Sequence, residues 1–463
     1  MSKIPVIAIF DVGKTNKKLF LFDENYKIVF EKSARFIETV DEDGDTCENL
    51  ESLRLSVFDS LREVFKLPQY DIKAINFSTY GASFVYIGED GAPVAPLYNY
   101  LKDYPEELKR QFYDTYGGEA QFSKRTASPV LGSLNSGMQL YRIKYEKPEL
   151  YSKIKYALHL PQYLNYLITG EVHTDITSIG CHTNLWDFEN NDYHPWVKAE
   201  GIFDKLAPII ASDSVVPAAF PGNNYGVGVG LHDSSAALIP YLSNFHEPFI
   251  LISTGTWCIS LNPFNHEPLT DEELQHDCLC YMQYKGKPVK ASRLFAGFEH
   301  EQQVKRIAAH FDKNTVSYRN MEFDPAIGHQ LYAAEERKEA DWASNQMKES
   351  AFAARNLDAF ESDVHAYHQL IFDLVTQQYE STMLVAKGTA VRRIFVDGGF
   401  SKNSIYMNLL AMFFSDMEIF AASMAQATAV GTALAIHNHW NTKALPNDII
   451  ELKYYSITHN TEL

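Results

Sequence analysis

Long apolar runs are missing from this chain of 463 residues, and so is any excess of positive charge. The opening run Ile4–Phe10 ends at Asp11, too short for a signal peptide. No stretch approaches the ~20 apolar residues of a membrane span. A cytoplasmic protein without a membrane partner is expected. Against 59 acidic residues stand only 41 basic ones, a net charge of −18. That argues against nucleic acid, which needs a basic face, but leaves room for a small anionic ligand held by a few local donors. Cysteine is scarce, with five residues at positions 47, 181, 258, 278 and 280. An odd, scattered set fits a reducing compartment better than a disulfide framework. Cys278 and Cys280 lack a zinc-finger spacing and read as strand residues. Low-complexity segments and repeats of 20–50 residues are also lacking.

What is present is an ordinary globular composition, 46% hydrophobic and 22% charged. The length suits about three domains, or two larger ones. The chain is organised around Gly226–Ile239, Gly-Val-Gly-Val-Gly-Leu-His-Asp-Ser-Ser-Ala-Ala-Leu-Ile. Alternate glycines allow close backbone approach. Asp233 follows, just before a predicted helix that Ser234 or Ser235 could cap. A carboxylate there can take a proton from a substrate hydroxyl, or simply cap the helix.

Ile4–Asp23 reads strand, turn, strand around Asp11-Val12-Gly13-Lys14-Thr15-Asn16. Gly13-Lys14-Thr15 is not a P-loop: Ala8 stands where the first glycine should be, and a strand replaces the helix. The turn can still bind phosphate through successive N–H groups, or be a plain hairpin. The pattern recurs at Phe249–Leu261 around Ser253-Thr254-Gly255-Thr256, suggesting a duplicated domain. Between them Glu51–Phe65, Leu134–Tyr145 and Leu160–Thr169 read as helices, and Ala74–Thr79 and Phe84–Ile87 as strands. A boundary is expected in the irregular Pro208–Pro221 region, giving domains 1–224 and 225–463. Glu335–Leu384 carries helical periodicity. Strand Arg393–Val396 runs through Asp397-Gly398-Gly399 into helix Ser404–Phe414, an edge that can admit a nucleotide. Gln426–Ile436 reads as a small-residue helix suited to close packing.

Two polar glycine turns, a glycine edge and an acid after a glycine-rich segment are the parts that phosphoryl transfer needs. Taken in order, these motifs resemble the FGGY carbohydrate kinase family, whose two phosphate motifs are matched by Asp11–Asn16 and Ser253–Trp257 and whose adenosine motif is matched by Val396–Asn403. Lys147–Glu149 and Tyr163–Glu171 with Thr174, Asp175 and Ser178 are similar to further family segments. Ser78–Phe84 and Gly230–Ser234 resemble the rhamnulokinase and fuculokinase stretches. Four residues depart from the family pattern: Ser83, where rhamnulokinases carry Asp, with Gln139, Tyr141 and Lys14.

The resemblance implies an α/β, two-domain actin/Hsp70-like (ribonuclease H-like) fold with a deep interdomain cleft, and a kinase using ATP and Mg²⁺ on a primary hydroxyl of a ketose such as L-rhamnulose or L-fuculose. It implies Asp233 as general base and Asp11 as metal-holding residue. ATP would meet Gly13, Lys14, Thr15, Asn16, Lys17, Thr254, Gly255, Thr256, Gly398, Gly399 and Asn403. The sugar would meet Gly81, Ser83, His232 and Ser234. A homodimer is a family-level expectation. Rival readings are a xylulose- or ribulose-type kinase, an actin- or Hsp70-like ATPase without a sugar, and a kinase-derived sugar-binding protein.

Overall fold

In the computed structural model, residues 3–14, 16–35, 37–219, 225–335, 351–424 and 426–456 are described. The first sheet contains β1 (Ile4–Val12), β2 (Asn16–Asp23), β3 (Ile28–Arg35), β4 (Tyr70–Thr79), β5 (Val215–Pro217), β6 (Gly226–Gly228) and β7 (Leu231–His232). Its order is β5-β6-β4-β1-β2-β3, with β7 also on β4. β1 and β2 form an antiparallel hairpin, whereas β4 lies parallel to β1. The second sheet contains β8 (Phe249–Thr254), β9 (Cys258–Asn262), β10 (Leu279–Met282), β11 (Pro288–Leu294), β12 (Arg393–Gly398), β13 (Glu418–Ser423) and β14 (Glu451–Tyr455), ordered β10-β11-β9-β8-β12-β13-β14. Three antiparallel strands, two parallel ones and an antiparallel edge recur in both sheets. The duplication suggested by the two hairpins is therefore architectural. β6 and β7 pair within the first sheet, so its strand pairing runs past the expected 224/225 boundary.

β1 reads as a continuous apolar run because both its faces are covered. Val6, Ala8, Phe10 and Val12 pack against Leu53, Val57 and Leu61 of α1 (Leu50–Phe65), which Asn49 caps by accepting from Ser52 N–H. The alternate residues Ile7 and Ile9 face a cluster containing Ala429, Val430 and Ala433. Each of the Val, Ile, Leu and Phe side chains contributes about 1.5–3 kcal/mol when fully buried. α2 (Leu160–Thr169) ends at Gly170, whose φ of 72° supplies the left-handed C-cap.

Two helices cross between the halves. α3 (Asp233–Asn244) follows the first sheet, yet Leu238 and Tyr241 pack on Phe249, Leu251 and Phe395 of the second. Beyond it lie α4 (Ala296–His310), α5 (Asp363–Ala386) and α6 (Ser404–Phe413). α7 (Ala427–Ala435) comes between β13 and β14 of the second sheet but packs on the first. α3 and α7 meet at Gly431, where an added Cβ would come within 1.9 Å of the Ala236 carbonyl oxygen. The expected small-residue helix therefore does pack closely on a neighbour. The helical pattern over Glu335–Leu384 is broken: residues 336–350 lie outside the described residues, turns occupy much of 351–362, and α5 starts after its Ser362 cap.

Candidate active site

The β1–β2 turn and the parallel β1–β4 register create the first part of the site. Asp11 is opposite Ser78 on β4 and Lys18 on β2. Ser78 Oγ donates to Asp11 Oδ1 at 3.1 Å. Burial, reinforced by the charge of Asp233, raises the Asp11 pKa to about 6 despite Ser78 and Lys18. Gly13 closes the turn by donating its N–H to the Asn16 carbonyl at 3.0 Å, while Thr15 lies outside the described residues.

Strand alternation bears on one of the expected ATP contacts, Lys17. Lys17 pairs with Val12 and is buried on the α1 side, beside Leu53 and Val57, where burial lowers its pKa. Lys18 is the lysine on the Asp11 face, because residues along a strand alternate sides. Lys14 is engaged too: its ammonium lies 2.5 Å from Glu48 Oε1 and within 4.9 Å of the Tyr100 ring centroid.

Asp233 is the first residue of α3 and not a residue before it, so the helix starts earlier than expected, and no serine side chain caps that end. Ser234 N–H instead donates to Asp233 Oδ1 at 2.6 Å, and Ser234 Oγ lies 3.3 Å from the same oxygen. Burial raises the Asp233 pKa to about 6 against those hydrogen bonds. Its side chain nevertheless keeps 35% exposure, an open face beside buried His232. Imidazole Nε2 stands 3.2 Å from Asp233 Oδ1. Burial pushes the His232 pKa down to about 3, so the ring is neutral.

Several groups hold that ring. The His232 N–H donates to Thr177 Oγ1 at 3.0 Å, and Thr177 Oγ1 donates to Asp175 Oδ2 at 2.6 Å. Tyr281 stacks on the imidazole with centroids 5.5 Å apart. A Cβ on Gly81 would approach His232 Cδ2 to 2.9 Å, so glycine permits the contact. Ser83, by contrast, is buried and gives its hydroxyl to the Tyr98 carbonyl at 3.4 Å. Gln139 supports this turn by donating to the carbonyls of Ala82 and Ser133 at 2.7 and 2.6 Å.

The second part joins the β8–β9 turn to the glycine edge. Gly255 N–H donates to the Trp257 carbonyl at 2.9 Å, and exposed Thr256 lies within the same turn. Thr254 Oγ1 donates to the Asp397 carbonyl at 2.5 Å and accepts from Phe400 N–H at 3.0 Å. Gly398 has a φ of 92°, and an added Cβ would lie 1.9 Å from the Thr254 carbonyl oxygen. A cavity of about 790 Å³ opens here, lined by Thr254, Gly255, Gly399, Phe400, Asn403 and Tyr367. Asn403 caps α6 through Tyr406 N–H and donates to the Tyr367 hydroxyl at 2.8 Å. Tyr241 binds the far end of α3 to the edge, its hydroxyl donating to Asp397 Oδ2 at 2.9 Å.

Both halves of the chain match the same family. Residues 6–230 match the N-terminal domain of the FGGY family of carbohydrate kinases, and residues 246–444 match the FGGY carbohydrate kinase C-terminal domain. The chain belongs to the FGGY family. The FGGY chain is 24% identical over 289 residues to a rhamnulokinase of Mannheimia succiniciproducens, covering 58% of this chain and 55% of the relative. It is 25% identical over 276 residues to an L-fuculokinase of Escherichia coli K12, covering 55% and 56% respectively. These matches span about half the length of the curated relatives. A carbohydrate kinase from Novosphingobium aromaticivorans has the same fold, with TM-score 0.78, 21% identity and coverage of 98% and 95% of the two chains. The fold is the actin/Hsp70-like, ribonuclease H-like α/β architecture expected from the resemblance.

Sequence reading misses Lys18, Glu48, Thr177, Cys181, His182 and Tyr281 around this site. Period-two alternation from Asp11 could have selected Lys18. Thr177 lies inside the recognised Thr174–Ser178 segment. The others come from distant segments and had no local signal.

Proposed function

We propose that this FGGY protein is an ATP-dependent kinase transferring a phosphoryl group to a primary hydroxyl of a ketose, with Asp233 as general base. The observation carrying this reading is the position of Asp233: it begins a helix crossing to the second half, stands beside His232 and acts electrostatically on Asp11. Ionised Asp233 accepts the hydroxyl proton as the oxygen meets the terminal phosphorus of ATP. Such help contributes about 10²–10⁴-fold. His232 orients the carboxylate, and Gly81 and Ser234 border the sugar. The cavity beside Thr254 and Gly399 takes the adenosine, and the two glycine turns border the phosphates.

Two carboxylates raised by burial, Asp11 also by the charge of Asp233, suit a hard divalent cation with oxygen ligands. Asp11, with Asp233 nearby, would hold Mg²⁺, which when bound offsets the charge of the ATP phosphates. A deoxyketose such as L-rhamnulose or L-fuculose is favoured by Ser78–Phe84 and Gly230–Ser234 and by the names of the curated relatives. The Ser83 departure also admits xylulose- or ribulose-type substrates. A coupled ADP assay across ketoses differing at each carbon should show strong stimulation by one stereochemical group. Asp233→Asn should remove that stimulation while leaving MgATP binding nearly unchanged. Equal ADP release with and without every sugar would refute the kinase reading.

A further inference from the structure

Beside Asp233 lies a side-chain cluster of which phosphoryl transfer uses only His232. Cys181 Sγ and one ligand atom each from His182 and His232 lie within 4.8 Å of one another. Cys181 Sγ is 3.1 Å from His232 Nε2. We infer that Cys181, His182 and His232 form a soft divalent-metal site, suited to Zn²⁺, whose filling shuts down the neighbouring carboxylate.

The donor types favour this assignment. One thiol and two imidazoles are a soft-to-borderline set, unlike the oxygen ligands that suit Mg²⁺. With bonds of about 2.0–2.3 Å, atoms bound tetrahedrally to zinc stand about 3.3–3.8 Å apart, so separations of up to 4.8 Å must shorten on binding. The rings also have outer partners. His182 Nδ1 lies 3.2 Å from the Leu134 carbonyl, and His232 Nδ1 lies 3.5 Å from Ser235 Oγ. Ser235 Oγ in turn donates to the Met282 carbonyl at 2.8 Å. Donation from each Nδ1 leaves an Nε2 lone pair, the usual way an outer contact fixes a metal-binding tautomer.

The three residues are at least 92% buried, but partly exposed Asp233 gives the cluster an open side. The charge of Asp233 favours a cation; that of Arg293 opposes it, although Arg293 is itself paired with Asp277 at 2.7 Å. Burial raises the Cys181 pKa, so the metal-free thiol is neutral. Metal binding forms a sulfur–metal bond, breaks the S–H bond and releases one proton to solvent. The His232 ring keeps its single proton, on Nδ1 facing Ser235 Oγ. Its Nε2, 3.2 Å from Asp233 Oδ1, then binds the ion, and the added positive charge makes that carboxylate a weaker base.

Cobalt(II), a coloured substitute for zinc, tests the site on the full chain. Titration should saturate at one ion per chain, with tetrahedral visible bands and a near-ultraviolet thiolate charge-transfer band. Cys181→Ala should lose the latter band and stoichiometric binding, with circular dichroism checking its fold. If that variant does not fold, Cys181→Asp provides the test: it should bind cobalt without the charge-transfer band. No saturable binding by the unmodified chain, or persistence of that band without Cys181, would overturn the proposal. A separate kinetic arm rests on the kinase reading: Zn²⁺ should suppress sugar-dependent ADP formation and EDTA should restore it. Failure of zinc-free protein supplied with MgATP to use any sugar would count against the kinase reading, while the cobalt spectrum would still decide the metal site.

Discussion

Asp11 and Asp233 are paired by their electrostatics as well as by their location. Both pKa values lie near 6, above the ordinary 3.8, so folding favours their protonated forms. Between about pH 4 and 6 the folded state therefore holds more protons than the unfolded chain, and stability falls as pH rises. Activity follows the opposite direction because the general base must be ionised. For the ligand-free enzyme, kcat/KM for the sugar should fall about tenfold per pH unit well below an apparent pKa near 6, a value belonging to the coupled pair. Calorimetry without nucleotide or metal should show the thermal midpoint declining across the same interval. Asp233→Asn should flatten that decline and raise the neutral-pH midpoint while removing sugar-dependent turnover. A lower midpoint in this variant would refute the assigned electrostatic cost.

At the element scale, a strand's two faces divide the lysines after Gly13. Lys18→Met should weaken the dependence of activity on MgATP, because its charge acts on Asp11. Lys17→Met should leave the KM for ATP within about twofold, because its side chain is buried on the α1 face. Steady-state kinetics with varied ATP distinguish the two; a larger effect at Lys17 would contradict the face assignment. The glycine edge gives a second test. Gly398→Ala adds a Cβ where φ is 92° and the Thr254 carbonyl lies 1.9 Å away. It should abolish thermal stabilisation by ATP and lower the midpoint of the ligand-free protein. Much of this architecture is legible in sequence, since β1, β2, the Thr254–Thr256 turn and the edge at Gly398 have strong local patterns. Lys17 is placed with ATP by its position in a motif, whereas alternation along β2 sets its side chain on the α1 face. Cys181 and Tyr281 reach His232 through tertiary pairing, which no local period encodes, and the break before α5 depends on a Ser362 cap inside an otherwise helical pattern.

At the scale of the whole molecule, the two sheets exchange helices. α3 carries Asp233 from the first half onto the second sheet, while α7 returns from the second half to cover Ile7 and Ile9. Relative movement of the lobes must therefore be accommodated where these helices meet. The Gly431–Ala236 approach makes that crossing unusually intolerant of volume. Closure around a sugar would exclude water from the phosphoryl group and limit wasteful hydrolysis. Gly431→Val should separate α3 from α7, displace Asp233 relative to the glycine edge and prevent full closure. The variant should therefore lose sugar-stimulated ADP formation and show a smaller decrease in radius of gyration on adding sugar with a non-hydrolysable ATP analogue. Small-angle scattering can measure that change, with retained cooperative unfolding showing that the variant is folded. Normal closure and turnover in a folded variant would show that this crossing does not control the lobes. The proposed mechanism depends on this coupling because the base and the nucleotide edge, though anchored to different sheets, are joined through one helix from Asp233 to Tyr241 and Asp397.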